Sequence, residues 1–155
     1  MSIGLRVDTS GIEGLVERIN RLGRAERAAL MGDLAAEGES QTRRRIQEEK
    51  TAPDGTPWAA WSPAYARGRH GGQSLLQGEG DLLDSMTSGA GDDYAEWGSN
   101  LIYAAIHQEG GTPDMPAGPA GIPAREYLGL SDENLADMDG IVENWLDDHM
   151  RRLQR

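Results

Sequence analysis

The C-terminal segment constrains the fold more than any other stretch. Leu135, Met138, Val142, Trp145, His149 and Leu153 recur at three- and four-residue intervals and so share one face of a helix. Asp137, Asp139, Glu143, Asp147 and Asp148 fall mostly off that stripe. Ser131 is a good N-cap. Asp132 and Glu133 follow in the first turn and Arg151 and Arg152 close the last, and both placements favour the helix dipole. The spacing predicts a helix over about 132–153. Its apolar stripe needs a cover, from the rest of the chain or from a neighbour.

The N-terminal third offers that cover. Ile12, Leu15, Val16, Ile19 and Leu22 lie at helical spacing ahead of Gly23. A longer helix runs from about Arg24 to Glu49, with Met31, Leu34, Ala35, Gly38, Thr42 and Ile46 as its stripe. The small residues in that stripe would let another helix approach closely. Ile3, Leu5 and Val7 alternate as a short strand does, and Asp8-Thr9-Ser10 is a cluster of N-cap candidates. Further on, Ser85–Ala90 and Tyr94–Gly98 read as two strands joined by Gly91-Asp92-Asp93, with Met86 and Trp97 facing inward. Gly98-Ser99-Asn100 reads as a strand exit and helix entry. That helix carries Leu101, Ile102, Ala105 and Ile106, sets Tyr103 and His107 on a common face, and stops at Gly110-Gly111. The fold class is α+β: a small, mostly antiparallel sheet packed with two N-terminal helices and a long C-terminal helix. The strand at residues 3–7, and one near Tyr127, would complete the sheet. Residues 1–155 suit one domain.

Two stretches resist regular structure. Between Thr51 and Gly72, Asp54-Gly55 and Pro57 are turn signals, and Ser62-Pro63 can open one helical turn. Trp58 and Trp61 read as anchors pinning this loop to the body, or else as a hot spot for a partner. The stretch Arg67-Gly-Arg-His-Gly-Gly72 lacks the Gly-Lys-Ser/Thr ending and preceding strand of a phosphate loop. Thr112–Gly121 holds Pro113, Pro116 and Pro119 among small residues, a composition that forbids helix or ladder. It reads as an extended Pro/Gly-rich arm at about 111–122, free in a monomer or laid on a neighbour in an assembly, with Met115 and Ile122 as its apolar contacts.

Composition sharpens this picture. Phe is absent, aromatics are 5% and Gly numbers 21, so the core rests on Leu, Ile, Met, Ala and four Trp. A chain with so lean a core gains stability by assembling. Cys is absent, which excludes disulfides and thiolate metal sites. No apolar run reaches membrane-spanning length and no signal peptide is visible. Of the net charge of −11, residues 71–155 contribute most, with 4 basic and 16 acidic groups, against 11 and 10 in residues 1–70. The acidic half repels nucleic acid and attracts a basic surface. Arg43-Arg44-Arg45 near the end of the second helix has three readings: a solvated helix end, a nucleic-acid contact, or ion pairs with an acidic neighbour in a ring. No interleaved aromatics support single-strand stacking.

Catalytic chemistry finds little support. His70, His107 and His149 form no His-x-x-x-His or Glu-x-x-His pair, and no nucleophile elbow or nucleotide fingerprint is present. A hydrolase using His107 with Glu109 or Asp114 is a remote reading. His107 and Tyr103 read instead as a hydrogen-bonded structural pair. The expectation is a non-enzyme with no cofactor and no metal.

Taken in order, Asp54-Gly-Thr-Pro-Trp58, Asp81-Leu-Leu-Asp-Ser-Met86, Gly98-Ser-Asn, Tyr103-Ala-Ala-Ile-His-Gln108, Gly110-Gly111 and Ile122-Pro-Ala-Arg-Glu-Tyr-Leu-Gly-Leu-Ser131 resemble the phage virion morphogenesis family, the tail completion proteins of Mu-like tailed phages. The chain departs from the family pattern at Glu109, where an aromatic is usual, and at Glu126-Tyr127, where Pro-Phe is frequent. The resemblance implies a structural protein of the virion neck or tail end that completes the tail and joins it to the head. It implies a homo-oligomeric ring, hexamer favoured. The implied neighbours are the head–tail connector and the tail tube or tail terminator proteins, with DNA passing through the ring but no sequence-specific contact and no membrane. It places the protein in the virion, and in the host cytoplasm during assembly. Partner contacts are expected at Arg43, Arg44, Arg45, Arg67, Arg69, Met115, Ile122, Arg125 and Tyr127. The alternative is an acidic decoy that occupies a basic nucleic-acid-binding protein; it accounts for the charge but not for the ordered motifs.

Overall fold

The structure, a computed structural model, describes residues 13–155. The expected strand at residues 3–7, the cap cluster at 8–10 and the apolar position at 12 lie outside the described residues. In chain order the elements are α1 (Glu13–Ile19), α2 (Arg24–Arg44), a π-helical turn (Arg45–Glu49), α3 (Pro63–Ala66), α4 (Asp81–Asp84), β1 (Thr87–Ala90), β2 (Ala95–Gly98), α5 (Ala104–Glu109), α6 (Ala117–Ala120) and α7 (Asp132–Leu153). Strands β1 and β2 pair with each other. Their short link makes the pair an antiparallel hairpin, closed by Gly91 N–H donating to the Tyr94 carbonyl at 3.0 Å. The class is α+β, as the patterning predicts. The segment around Tyr127 forms no strand.

The described chain divides into two compact units. A helical unit comprises residues 13–39, 88–97 and 130–155, and a loop-rich unit comprises residues 40–87 and 98–129.

In the helical unit, Ile19, Leu22, Leu30, Met31, Leu34, Met138 and Val142 form the core, flanked by Trp97 and Trp145. The α7 stripe is thus covered by the N-terminal helices, and α1 packs directly on α7. Ser131 starts α7 through a reciprocal capping box: its Oγ accepts from Asn134 N–H and Asn134 Oδ1 accepts from Ser131 N–H, both at 3.1 Å. Polar contacts frame the stripe. Arg18 reaches Asp139 and Glu143, Trp145 Nε1 donates to Asp33 at 2.9 Å, and His149 Nδ1 meets Glu26. Two positions of the expected stripes face outward, Val16 at 47% and Leu153 at 69% exposure. Leu153 is the last residue of α7, while Val16 lies in the middle of α1.

The small-residue stripe of α2 does admit a close neighbour, but not a helix. The indole of Trp97 lies on Gly38, where a Cβ would stand 2.4 Å from the ring. The helix gives up a side chain there so that a large aromatic from the hairpin can fill the groove.

The loop-rich unit has a second core of Ile46, Trp58, Leu82, Leu83, Met86, Ala104 and Tyr127. Its helices are single turns or little more. The turn at α3 forms as expected, with Ser62 Oγ accepting from Tyr65 N–H. The helix expected from Ser99 begins only at Ala104. Ser99 Oγ accepts instead from Leu101 N–H at 3.1 Å and shares a 2.6 Å hydrogen bond with Ser85 Oγ, which holds residues 99–103 in a turn.

Gly38 and Gly32 on α2 separate packing from helix propensity. Gly38→Ala must displace Trp97 and is expected to lower stability by about 1–3 kcal/mol. Gly32→Ala, with nothing within 4 Å of the new methyl, is expected to raise it by about 0.5–1 kcal/mol. Thermal unfolding of both variants checks the pair; equal shifts would show that Trp97 does not rest on Gly38.

Candidate functional site

The loop-rich unit has too little regular structure to satisfy its own backbone, and side chains supply the missing partners. Arg43 donates to the Leu83 and Met86 carbonyls, both at 2.8 Å. Arg45 follows α2 into the π-helical turn, which swings it inward to 1% exposure. Its Nη1 donates to the carbonyls of Tyr127 at 3.2 Å and Gly129 at 2.9 Å, and Glu49 lies 3.7 Å from Nε. Arg44 pairs with Glu49 at 3.1 Å. The arginine triplet is therefore not a solvated helix end: it ties the helix to the loops that wrap it.

Lys50 repeats the device. It caps the π turn in the left-handed region at φ 55°. Its ammonium donates to Ile46 O, Ser74 Oγ and Leu75 O. Burial pushes its pKa down from the usual lysine range. Arg125, 6% exposed, donates to the carbonyls of Ala59 at 2.8 Å and Ala60 at 3.2 Å. Trp58, buried, donates its Nε1–H to Glu126 O at 3.0 Å and so acts as an anchor.

Gln108 takes the place of a strand. Its Oε1 accepts from the backbone N–H of Tyr127 and Leu128, and its Nε2 donates to Leu128 O. The backbone that might have entered a sheet is thereby satisfied by one amide. Tyr127 beside it is 1% exposed; its hydroxyl donates to Ala104 O at 3.0 Å, and burial pushes its pKa up to about 12.

These clamps frame an open groove of about 630 Å³. Trp61, Tyr65, Arg69, Tyr103, His107 and Ile122 are among its lining residues. Trp61 meets Tyr65 edge-on at 5.8 Å, and the Arg69 guanidinium sits 4.4 Å over the Tyr65 ring. Tyr103 and His107 also meet edge-on, at 6.0 Å. Their contact is aromatic and not the expected hydrogen bond, for the buried His107 Nδ1 has no hydrogen-bond partner. Burial first, and then the nearby Arg125 charge, hold the imidazole pKa below its ordinary range.

The Pro/Gly stretch springs from the edge of this groove. Gly111 N–H donates to Ile122 O at 2.8 Å and Arg125 N–H to His107 O at 2.7 Å, which pins both ends. Gly110 takes φ 79°, and a Cβ on Gly111 would stand 1.9 Å from Pro119 O, so the paired glycines let the two strands of the loop touch. Between the pins, residues 112–119 are exposed. The stretch is not wholly extended: Pro116 leads into one helical turn, α6, with Ala120 N–H donating to Pro116 O. Pro116 and Pro119 sit in the first turn or just before it, where the missing N–H costs nothing.

Of the residues expected to meet partners, Arg69, Ile122 and Arg125 come together at the groove. Arg67 is exposed but does not line the groove, and Met115, 36% exposed, sits in the loop tip. Arg43, Arg45 and Tyr127 have their side-chain donors turned to the interior, and Arg44 lies against Glu49. The sequence pattern missed Gln108 and Lys50, since a polar side chain that serves one loop leaves no periodic trace. Among the described residues, no three His, Asp or Glu side chains are grouped to hold a metal, and no helix is long and apolar enough to cross a membrane.

The profile of the phage virion morphogenesis family matches residues 7–147. The chain is 43% identical over 121 residues to the putative capsid assembly protein G of Escherichia phage Mu, covering 76% of this chain and 72% of that protein. It is 28% identical over 153 residues to the Mu-like prophage FluMu G protein 1 of Haemophilus influenzae, covering 94% and 96%. No solved structure matches significantly.

The lowered pKa of His107 has a consequence for stability. Below the ordinary imidazole pKa the unfolded chain binds a proton that the folded chain resists, so stability falls as pH drops from 7 through that value. His107→Phe is expected to flatten the slope of melting temperature against pH between 7 and 5. An unchanged slope would place the titration elsewhere.

Proposed function

The chain belongs to the phage virion morphogenesis family, and from that premise we propose that it is a non-enzymatic structural protein of the virion neck. In this reading it completes the tail end and joins it to the head connector as a homo-oligomeric ring, six copies favoured. The match over residues 7–147 carries the proposal. Its neighbours are further copies of itself, the connector, and the tail tube or tail terminator proteins. It passes from the host cytoplasm into the particle as assembly proceeds, and DNA passes through the ring without being read.

The geometry supports the same reading. A loop with pinned ends and an exposed tip suits contact with a neighbour better than enclosure of a substrate. The exposed Arg67 and Arg69 lie in the less acidic half of a chain of net charge −11, which favours one orientation of copies over others. Such pairs contribute orientation more than affinity. The decoy alternative explains the charge alone and gains nothing from the family match.

Electron microscopy of lysates from a phage disrupted in this gene tests the proposal. The expected outcome is full-length tails and filled heads that remain separate, rescued by the gene supplied in trans. Heads that fail to form would move the role to the capsid, in line with the name the phage Mu relative carries. Sedimentation of the purified protein at low and high salt reads the ring directly, and a strict monomer together with a neck lacking the protein would remove this reading.

A further inference from the structure

We propose that the exposed loop tip Pro113–Pro116 of one copy seats in the aromatic groove of the next, with Met115 against Trp61, Tyr65 and Tyr103 and Asp114 beside Arg67 and Arg69. This rests on the ring reading and names the surface that makes the ring.

The two halves of the contact are both present on the loop-rich unit. The groove offers three aromatic rings and falls within the roughly 300–1,000 Å³ usual for ligand sites. Arg69 in its wall lies over the face of Tyr65 and forms no ion pair within the described residues, while Glu79 and Asp81 also line the groove, so Asp114 is placed on the Arg69 side of it. The tip offers a half-exposed methionine, the side chain best suited to irregular aromatic surfaces. Its neighbour Asp114 accepts from Thr112 Oγ1 at 2.5 Å and meets no cation. That contact, with Met115 N–H donating to Thr112 O at 3.0 Å, holds the tip in a turn.

The tip does not fill its own groove. Gly118, Gly121 and Ile122 at the base of the loop form part of the wall, whereas none of residues 112–116 does. The ends are pinned by Gly111 and Arg125, and prolines flank the tip, so little freedom is lost when it docks. A protrusion and a recess on one surface, used between different copies, form a head-to-tail contact. Such contacts close into rings when the rotation allows.

The absence of cysteine makes the test clean. One preparation carries Met115→Cys and another Gly78→Cys, a groove position with open space around its Cβ. Mixed under mild oxidation, they are expected to give several-fold more disulfide-linked heterodimer than Met115→Cys mixed with Gly32→Cys, an equally open position on α2. Met115→Glu should in turn lower the oligomer fraction in sedimentation while leaving the melting temperature of the chain unchanged. No enrichment, with the parent protein still sedimenting as an oligomer, overturns the groove assignment and leaves the ring standing. A parent protein that never oligomerises removes both. Gly78→Cys that links in particles only to a different tail or head protein gives the groove another occupant and overturns the proposal.

Discussion

Buried and half-buried cationic side chains donating to loop carbonyls hold the loop-rich unit together. Arg43, Arg45, Lys50 and Arg125 each bond at least two backbone or hydroxyl oxygens contributed by distant parts of the chain. The cost is visible in the ionisation of three of them: desolvation pushes the pKa values of Arg45, Lys50 and Arg125 down. Carbonyl dipoles offset that cost, with Glu49 near Arg45 adding a charge partner. The alternative, loops with unpaired carbonyls in a core poor in aromatics, is worse by about 1–3 kcal/mol for each unsatisfied group. Removing Arg45 would take a hydrogen bond from two carbonyls at once, those of Tyr127 and Gly129.

This explains which parts of the fold were legible in the sequence. The α7 stripe, its Ser131 cap, the α2 stripe and the hairpin all announce themselves by period or turn chemistry, and they lie largely in the helical unit. The Arg43–Arg45 triplet reads the same whether it faces water or the interior. Only the π-helical turn, which has no period signal of its own, decides that Arg45 goes in. Gln108 was visible as part of the His-Gln pair of the family pattern, but nothing marked it as the partner of three backbone groups. Ser99 looked like a helix cap because a serine hydroxyl accepting from the N–H two residues on serves a turn as well as a helix. The groove was legible only in fragments: Trp61, Tyr103, His107 and Ile122 come from three separate stretches, and their convergence is a tertiary fact.

The same division of labour separates structural from exposed charge. Arginines that looked like one basic population fall into two. Arg43, Arg45 and Arg125 are consumed by backbone carbonyls, while Arg67 and Arg69 stay exposed and Arg24, Arg151 and Arg152 lie exposed beside carboxylates. A basic patch counted from sequence therefore overstates what a partner can meet. In the proposed assembly, the Arg67–Arg69 turn is one source of exposed positive charge that can steer a neighbour, on a chain of net charge −11.

That economy bears on what would hold copies together in the proposed ring. Exposed ion pairs contribute at most about 1 kcal/mol each and weaken with salt, so two arginines cannot hold a ring by themselves. Apolar area has to supply the affinity, and a monomer that exposed it broadly would aggregate before reaching the particle. In the proposed contact, a recessed groove and a single methionine on a proline-flanked turn would keep that area small and separated in the free chain and join it only when copies align. In that assembly the polar clamps would serve docking as well as folding. By fixing Arg125 and Tyr127 through backbone and side-chain hydrogen bonds, they hold the groove wall and the loop base in place for the proposed contact.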